Sequence, residues 1–92
     1  MLFAMHAIDA PDAARPRYYD DHKAHLKRAP DYGVKLVIGG PLVGVDGQSV
    51  VGSLMVFEAG DRASVERYNA DDPFWKNGVW STVHIAQFDR RT

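Results

Sequence analysis

From Ser49 to Phe57 the chain runs nine residues without a charge, and its large apolar side chains fall on both alternations of a strand. Successive side chains of a strand point to opposite sides. Val50, Leu54 and Val56 therefore share one face, while Val51, Met55 and Phe57 share the other. Val79 to Phe88 behaves alike, with Val83 and Ile85 opposing Trp80, Ala86 and Phe88. A sheet made of such strands needs cover on both faces. The chain is too short to supply both with ease, having 92 residues, 46% of them hydrophobic and 11% aromatic. A body of this size buries only a little over about 60% of its unfolded surface.

The rest of the pattern supplies cover for one face. Leu2 to Ile8 is an apolar run closed by Asp9-Ala10-Pro11-Asp12, which predicts a strand and a turn. Pro16 fits the first turn of a helix on which Tyr19, His22, Leu26 and Ala29 recur at three- and four-residue spacing. Pro30 and Gly33 end it. Val34 to Ile38 predicts a second strand ended by Gly39-Gly40-Pro41, and Asp46-Gly47 is a hairpin signal before the strand Val50 to Phe57. Asp61 is placed to cap a second helix carrying Ala63, Val65 and Tyr68. Asp71-Asp72-Pro73 interrupts it, since a residue before proline is pushed out of helical geometry. A turn at Phe74 to Asn77 and a last strand complete the order βαββαβ. This predicts a single α+β domain over residues 1–92 with a ferredoxin-like fold. Its antiparallel four-stranded sheet carries both helices on one face. The other face would lie open, and an open apolar patch of that size marks an interface. The expected partner is a second copy packed sheet to sheet.

Several function classes are excluded at once. Eleven Lys and Arg against 12 Asp and Glu leave a net charge of −1, without the basic footprint of a nucleic-acid binder. The third strand lacks the basic-aromatic signature that RNA-recognition domains of this strand order need. The absence of cysteine removes disulfide scaffolds, thiol nucleophiles and Cys-based zinc sites. Gly39-Gly40-Pro41 lacks the spacing and the following Lys-Ser or Lys-Thr of a phosphate loop, and reads as a chain-turning element. No apolar stretch approaches ~18 residues, so no membrane span is expected. Without a basic leader and cleavage site, the expected compartment is the cytoplasm.

The residues resemble those of the YciI-like (YCII-related) proteins over nearly the whole chain. The likeness is carried by the opening strand with Asp9, by His22-Lys23-Ala24-His25-Leu26, and by Gly40-Pro41-Leu42. Gly52-Ser53, Asp72-Pro73-Phe74 and Gly78-Val79-Trp80 follow in order. Members often carry an arginine three residues before the histidine. Here that place is Tyr19, and the nearest arginine is Arg17. The resemblance implies a dimeric α+β barrel with a pocket near the helix histidine, and a histidine and aspartate acting together. One activity in the family removes chloride from a chlorinated hydroxyquinol.

His22 is then the first catalytic candidate, because imidazole gives or takes a proton near neutrality. Taken alone it would read as a buried histidine bonded to a carbonyl. Asp72 is the candidate partner that would fix its tautomer, although an Asp before Pro is also an ordinary helix cap. Asp9 could face the same pocket or simply bond its own turn. Phe74, Trp75 and Tyr19 are candidate substrate contacts. His22 and His25 form an H-x-x-H pair, but no further ligands stand at a metal-binding spacing, so no metal is expected and His25 reads as facing solvent or a partner. His6 and His84 lie on strands and read as interface or packing residues. The function this supports is a cofactor-independent enzyme acting by His/Asp acid-base chemistry on a small, phenolic or cyclic molecule. The step would be of the lyase or dehydrochlorinase type. The alternative is a non-catalytic dimeric module that binds a small ligand or serves a partner protein. Convergence of His22 and Asp72 beside an open pocket would favour the enzyme.

Overall fold

Strand β1 (Leu2–Asp9) opens the computed structural model, which describes all residues from Met1 to Thr92. After a turn, helix α1 (Arg15–Leu26) starts with Pro16 in its first turn, where a missing N–H costs no hydrogen bond. A short 3-10 turn (Ala29–Tyr32) ends at Gly33, whose φ of 73° is left-handed. Strands β2 (Val34–Val43) and β3 (Val50–Ala59) form the hairpin. In its loop the Asp46 carboxylate accepts from the Ser49 hydroxyl and from the Gln48 and Ser49 N–H groups. These bonds, the Ser49 hydroxyl first, hold its carboxyl down at about 2. Helix α2 (Arg62–Ala70) is capped by Asp61, which accepts from the Ser64 N–H. Helix α3 (Pro73–Lys76) is capped by Asp72, which accepts from the Phe74 N–H. Strand β4 (Trp80–Phe88) ends the fold.

The sheet order is β2-β3-β1-β4 with every neighbouring pair antiparallel, the α+β, ferredoxin-like arrangement that the element order predicts. Phe3, Met5 and Ala7 of β1 and Met55 and Phe57 of β3 are buried under the helices, against Val65, Tyr68 and Phe74. The molecule measures 35 × 28 × 18 Å, so its thin direction holds one layer of sheet and one of helix. On the uncovered side Ile8 and Leu54 are each 40% exposed, Phe88 46% and Ile38 62%. His6 stands directly opposite His84 on that side. None of the helices is long and apolar enough to cross a membrane.

Two strands depart from the alternation read in the sequence. Strand β2 does not stop at Gly39-Gly40-Pro41 but runs through it to Val43. Proline is tolerated because β2 is an edge strand, with one side free of ladder bonds. A bulge between Leu36 and Ile38 shifts the register, so Leu36 pairs with Phe57 but Gly39 pairs with Met55. Below the bulge even-numbered residues face the helices, and above it odd-numbered ones do. In β4 a second shift opposite Ile8 and Asp9 turns Trp80 away from Ala86 and Phe88. It lies under the helices at 1% exposure. One extra residue flips every side chain beyond it.

Gly52 marks the closest approach inside the sheet. A Cβ there would lie 2.1 Å from the Ala7 carbonyl oxygen, which is backbone and cannot step aside. Gly52→Ala should lower unfolding free energy in urea by about 1–3 kcal/mol or more. Gly60→Ala, whose Cβ would meet nothing within 4 Å, should stay within about 0.5 kcal/mol of the parent.

Candidate active site

Helix α1 buries two histidines and no aliphatic side chain completely. A buried imidazole must be hydrogen-bonded to offset its desolvation, and the two meet this demand differently. His25 donates from Nε2 to the Tyr68 carbonyl at 2.8 Å and stacks on the Tyr68 ring, with centroids 4.3 Å apart. It therefore joins α1 to α2 and faces neither solvent nor a partner. That location leaves the H-x-x-H pair without a shared metal position, and no cluster of three metal-ligating side chains exists.

His22 is held by a carboxylate. Its Nδ1 lies 2.9 Å from Asp72 Oδ1 and 3.0 Å from Oδ2, and Asp72 is wholly buried. The same Oδ1 accepts from the Phe74 N–H at 2.9 Å, so one oxygen serves both as helix cap and as imidazole partner. A carboxylate can only accept, so Nδ1 carries the proton, and in the neutral ring Nε2 keeps its lone pair. Phe74 lies flat against the imidazole, with centroids 4.1 Å apart and planes 7° apart, and Trp80 meets it edge-on. Beneath them the Tyr68 phenol has no hydrogen-bond partner; burial, and then the Asp72 charge, push its titration up.

A partly buried ion pair stands beside this contact. Arg15 donates from Nε to Asp9 Oδ2 at 3.0 Å and from Nη2 to Asp9 Oδ1 at 3.2 Å. Nη2 also reaches the Gly52 carbonyl at 2.9 Å and Ser53 Oγ at 2.7 Å. The guanidinium lies over the Phe74 ring, 4.7 Å from its centroid. Asp9 has both oxygens engaged by Arg15. Arg15 escaped the sequence reading, although it stands one helical turn before Tyr19 on the same face. Extending the Tyr19, His22, Leu26 stripe back by four residues would have found it.

Between α1 and the sheet lies a cavity of about 210 Å³. Arg15, His22 and Lys23 line it from the helix, and Gly39, Pro41 and Ser53 from the sheet. It is smaller than the roughly 300 Å³ at which drug-sized sites begin, so it suits a small ligand. Tyr19 also lines it, half-exposed, with the Lys23 ammonium 5.1 Å from its ring centroid. Phe74 backs His22 from inside the core. Trp75 stands away from this cavity, half-exposed in a shallow groove with Val83 and Ile85. Asp71 is exposed and accepts from the Tyr32 hydroxyl.

Comparison with known proteins adds three findings. The family described as YCII-related domain matches residues 1–89. A Xenovulene A biosynthesis cluster protein of Sarocladium schorii is 35% identical over 79 residues, covering 78% of this chain and 68% of that protein. Among solved structures, 5-chloro-2-hydroxyhydroquinone dehydrochlorinase from Burkholderia phenoliruptrix, in complex with 2,5-dihydroxybenzoquinone, superposes with a TM-score of 0.83. It is 27% identical and the match covers 99% of this chain and 96% of that one. A cofactor-independent oxygenase from Streptomyces nogalater shares the fold alone, at 17% identity and a TM-score of 0.51.

The Asp72 contact fixes which imidazole nitrogen is free. Long-range proton–nitrogen spectra should show His22 as the Nδ1–H tautomer in the wild type. In Asp72→Asn the amide oxygen stays with the Phe74 N–H and the amide nitrogen turns to Nδ1, so the population should move towards Nε2–H. That variant should lose about 1–3 kcal/mol of stability. A wild-type Nε2–H tautomer would contradict the arrangement.

Proposed function

The chain belongs to the YCII-related family, and on that premise we propose that it is a small-molecule enzyme working by proton transfer at His22. The observation that carries the reading is the His22–Asp72 contact beside a cavity, with Nε2 free of any partner in the protein. Asp72 orients the ring and stabilises the imidazolium that forms, the part an orienting carboxylate plays in triad chemistry. The flat contact with Phe74 stops the ring from turning. Nothing in this arrangement calls for a cofactor.

The substrate is a small phenolic or cyclic molecule, and the reaction an elimination of the dehydrochlorinase type. The structural similarity to a dehydrochlorinase supports that choice. His22 Nε2 takes the proton of a ring hydroxyl. The electron pair of that O–H bond becomes a carbonyl while the ring carbon that carries chlorine takes a proton back from the imidazolium. A second ring hydroxyl then gives its proton to His22, its electron pair forms the second carbonyl, and chloride leaves the now tetrahedral carbon with the pair of its own bond. The products are a quinone, chloride and an imidazolium that returns its proton to water. Asp9 contributes by holding Arg15, and Tyr19 by closing the mouth of the cavity. Turnover of chlorinated hydroxyquinols should fall by about 10²–10⁴-fold in His22→Gln. Chloride release measured under single-turnover conditions reads it. Equal turnover in both proteins would refute His22 as the proton carrier, and no turnover in the wild type would leave the chain as a non-catalytic binding module.

The proposal includes a dimer through the open sheet face, where Ile8, Ile38, Leu54 and Phe88 stand exposed together. Contiguous apolar patches of this kind are rare on soluble monomers. Sedimentation at micromolar concentration should report twice the 10.2 kDa chain mass, and Leu54→Glu should return it to the monomer. A monomeric wild type would refute this part.

A further inference from the structure

The cavity beside His22 has two unlike ends. Helix α1 runs along it, with Arg15, His22 and Leu26 lining it in that order. From Arg15 to Leu26 the helix advances about 16 Å at its usual rise per residue. The sheet runs alongside, with Ser53 across from Pro41 and Met55 across from Gly39. Arg15 bonds Ser53, which fixes those two at one end. The other end is left to Leu26, Leu36, Gly39 and Met55, none of which has a side-chain nitrogen or oxygen. Lys23 does not intrude there, because its ammonium lies over the Tyr19 ring, one turn back towards Arg15.

Two features keep this end open. The bulge in β2 brings Leu36 and Gly39 to the same face, opposite Phe57 and Met55. Gly39 then adds no side chain where its neighbours meet: a Cβ there would lie 3.0 Å from Met55 Cγ and 3.3 Å from Leu36 Cδ1. Leu26 and Leu36 are only partly buried, so apolar surface remains for a ligand to cover.

We propose that this end is a subsite for a short alkyl substituent, and that the ring acted on at His22 carries one on its edge facing Leu26. This rests on the reading of the cavity as a small-molecule site. Leu26 lies one turn beyond His22, about 6 Å along the helix axis, so a ring held at the imidazole places its substituent there. Each methylene buried at such a place strengthens binding by about three- to fourfold. A hydroxyl in the same position loses its water and gains no partner.

Isothermal titration calorimetry on the full-length protein reads the subsite without turnover. The probes are phenol, its methyl and ethyl derivatives substituted at carbon 3 or carbon 4, and the corresponding hydroxymethylphenols, which match the ethyl compounds in shape. At one or both ring positions affinity should rise about threefold per added carbon, with a more negative heat capacity of binding. The hydroxymethylphenol of that position should bind about fivefold or more weakly than its ethyl counterpart. Gly39→Ala should narrow the end and cut the ethyl-to-phenol ratio to about twofold or less, with phenol itself held within about twofold. Leu26→Asn should supply a polar partner and move the ethyl-to-hydroxymethyl ratio by about fivefold or more towards the alcohol. Because Gly39→Ala bears on an edge strand, Leu26→Asn is the deciding variant, with circular dichroism as the control for both. A general loss of structure would weaken all the probes together and leave their ratios unchanged. Equal affinity across the series at both ring positions, no binding of any alkylphenol in the millimolar range, or an ethyl preference unmoved in folded Leu26→Asn would each overturn the proposal. The His22→Gln turnover ratio is measured separately, so an ethyl preference that persists while that ratio stays at one would sink proton transfer and leave the subsite standing.

Discussion

One buried carboxylate joins the halves of this fold. Asp72 is wholly inaccessible, and its oxygens receive the His22 imidazole from α1 and the Phe74 N–H that begins α3. The two partners are 50 residues away for the imidazole and two for the amide, so the group ties a local cap to a long-range contact. Removing one partner from a buried pair costs about 3–5 kcal/mol, because the other is left desolvated and unpaired. The stack of His22 on Phe74, with Trp80 edge-on to both, follows from it. Fixing the start of α3 fixes Phe74, and Phe74 fixes the plane of the imidazole. Arg15 then lies over the Phe74 ring, so the imidazole and the guanidinium are both aligned by a single phenyl group.

What the sequence made legible was whatever depends on chemistry at one position or on regular spacing. The element order came through because proline, glycine and aspartate punctuate it, and the caps at Asp61 and Asp72 follow from residue type alone. The buried face of β3, with Met55 and Phe57, followed from alternation. The bulges did not. Skipping a residue at Val37 or between Trp80 and Thr82 changes no composition, yet it turned Trp80 into a core residue and carried β2 through its glycines. His25 was hidden for a different reason. Hydrophobic periodicity counts histidine as polar, so a helix that buries imidazoles shows little of the apolar stripe by which buried faces are found.

The aspartates show why sequence reasoning divides roles that a structure unites. For Asp72, capping a helix and orienting a histidine look like rival explanations. They are compatible because a carboxylate oxygen has more than one lone pair, and Oδ1 serves both donors. At Asp9 the alternatives were a turn bond and a place in the pocket. Its carboxylate instead receives one edge of Arg15, Nε on one oxygen and Nη2 on the other, which fixes the plane of the guanidinium. The spacing from Asp9 to Arg15 matches no helical or strand period, because a turn lies between them. No periodic pattern could have revealed that pair.

The cavity and the uncovered sheet face share a wall. Gly39, Gly40 and Pro41 of β2 line the cavity, while Ile38 on the same strand stands across from Val56 on the open side. This strand is at the sheet edge, carries two glycines and a proline, and has no second strand beyond it. Such a segment has little side-chain packing of its own to hold its position. Whatever presses on Ile38 and Leu54 from the open side therefore bears on the backbone that shapes the cavity. Within the cavity, Gly39 is tight: a Cβ there would lie 3.0 Å from Met55 Cγ and 3.3 Å from Leu36 Cδ1. The width of the site is thus set by an edge strand with limited support on its outer face. The helix side, clamped by Asp72 and Asp9, is the rigid wall against which a ligand would be positioned.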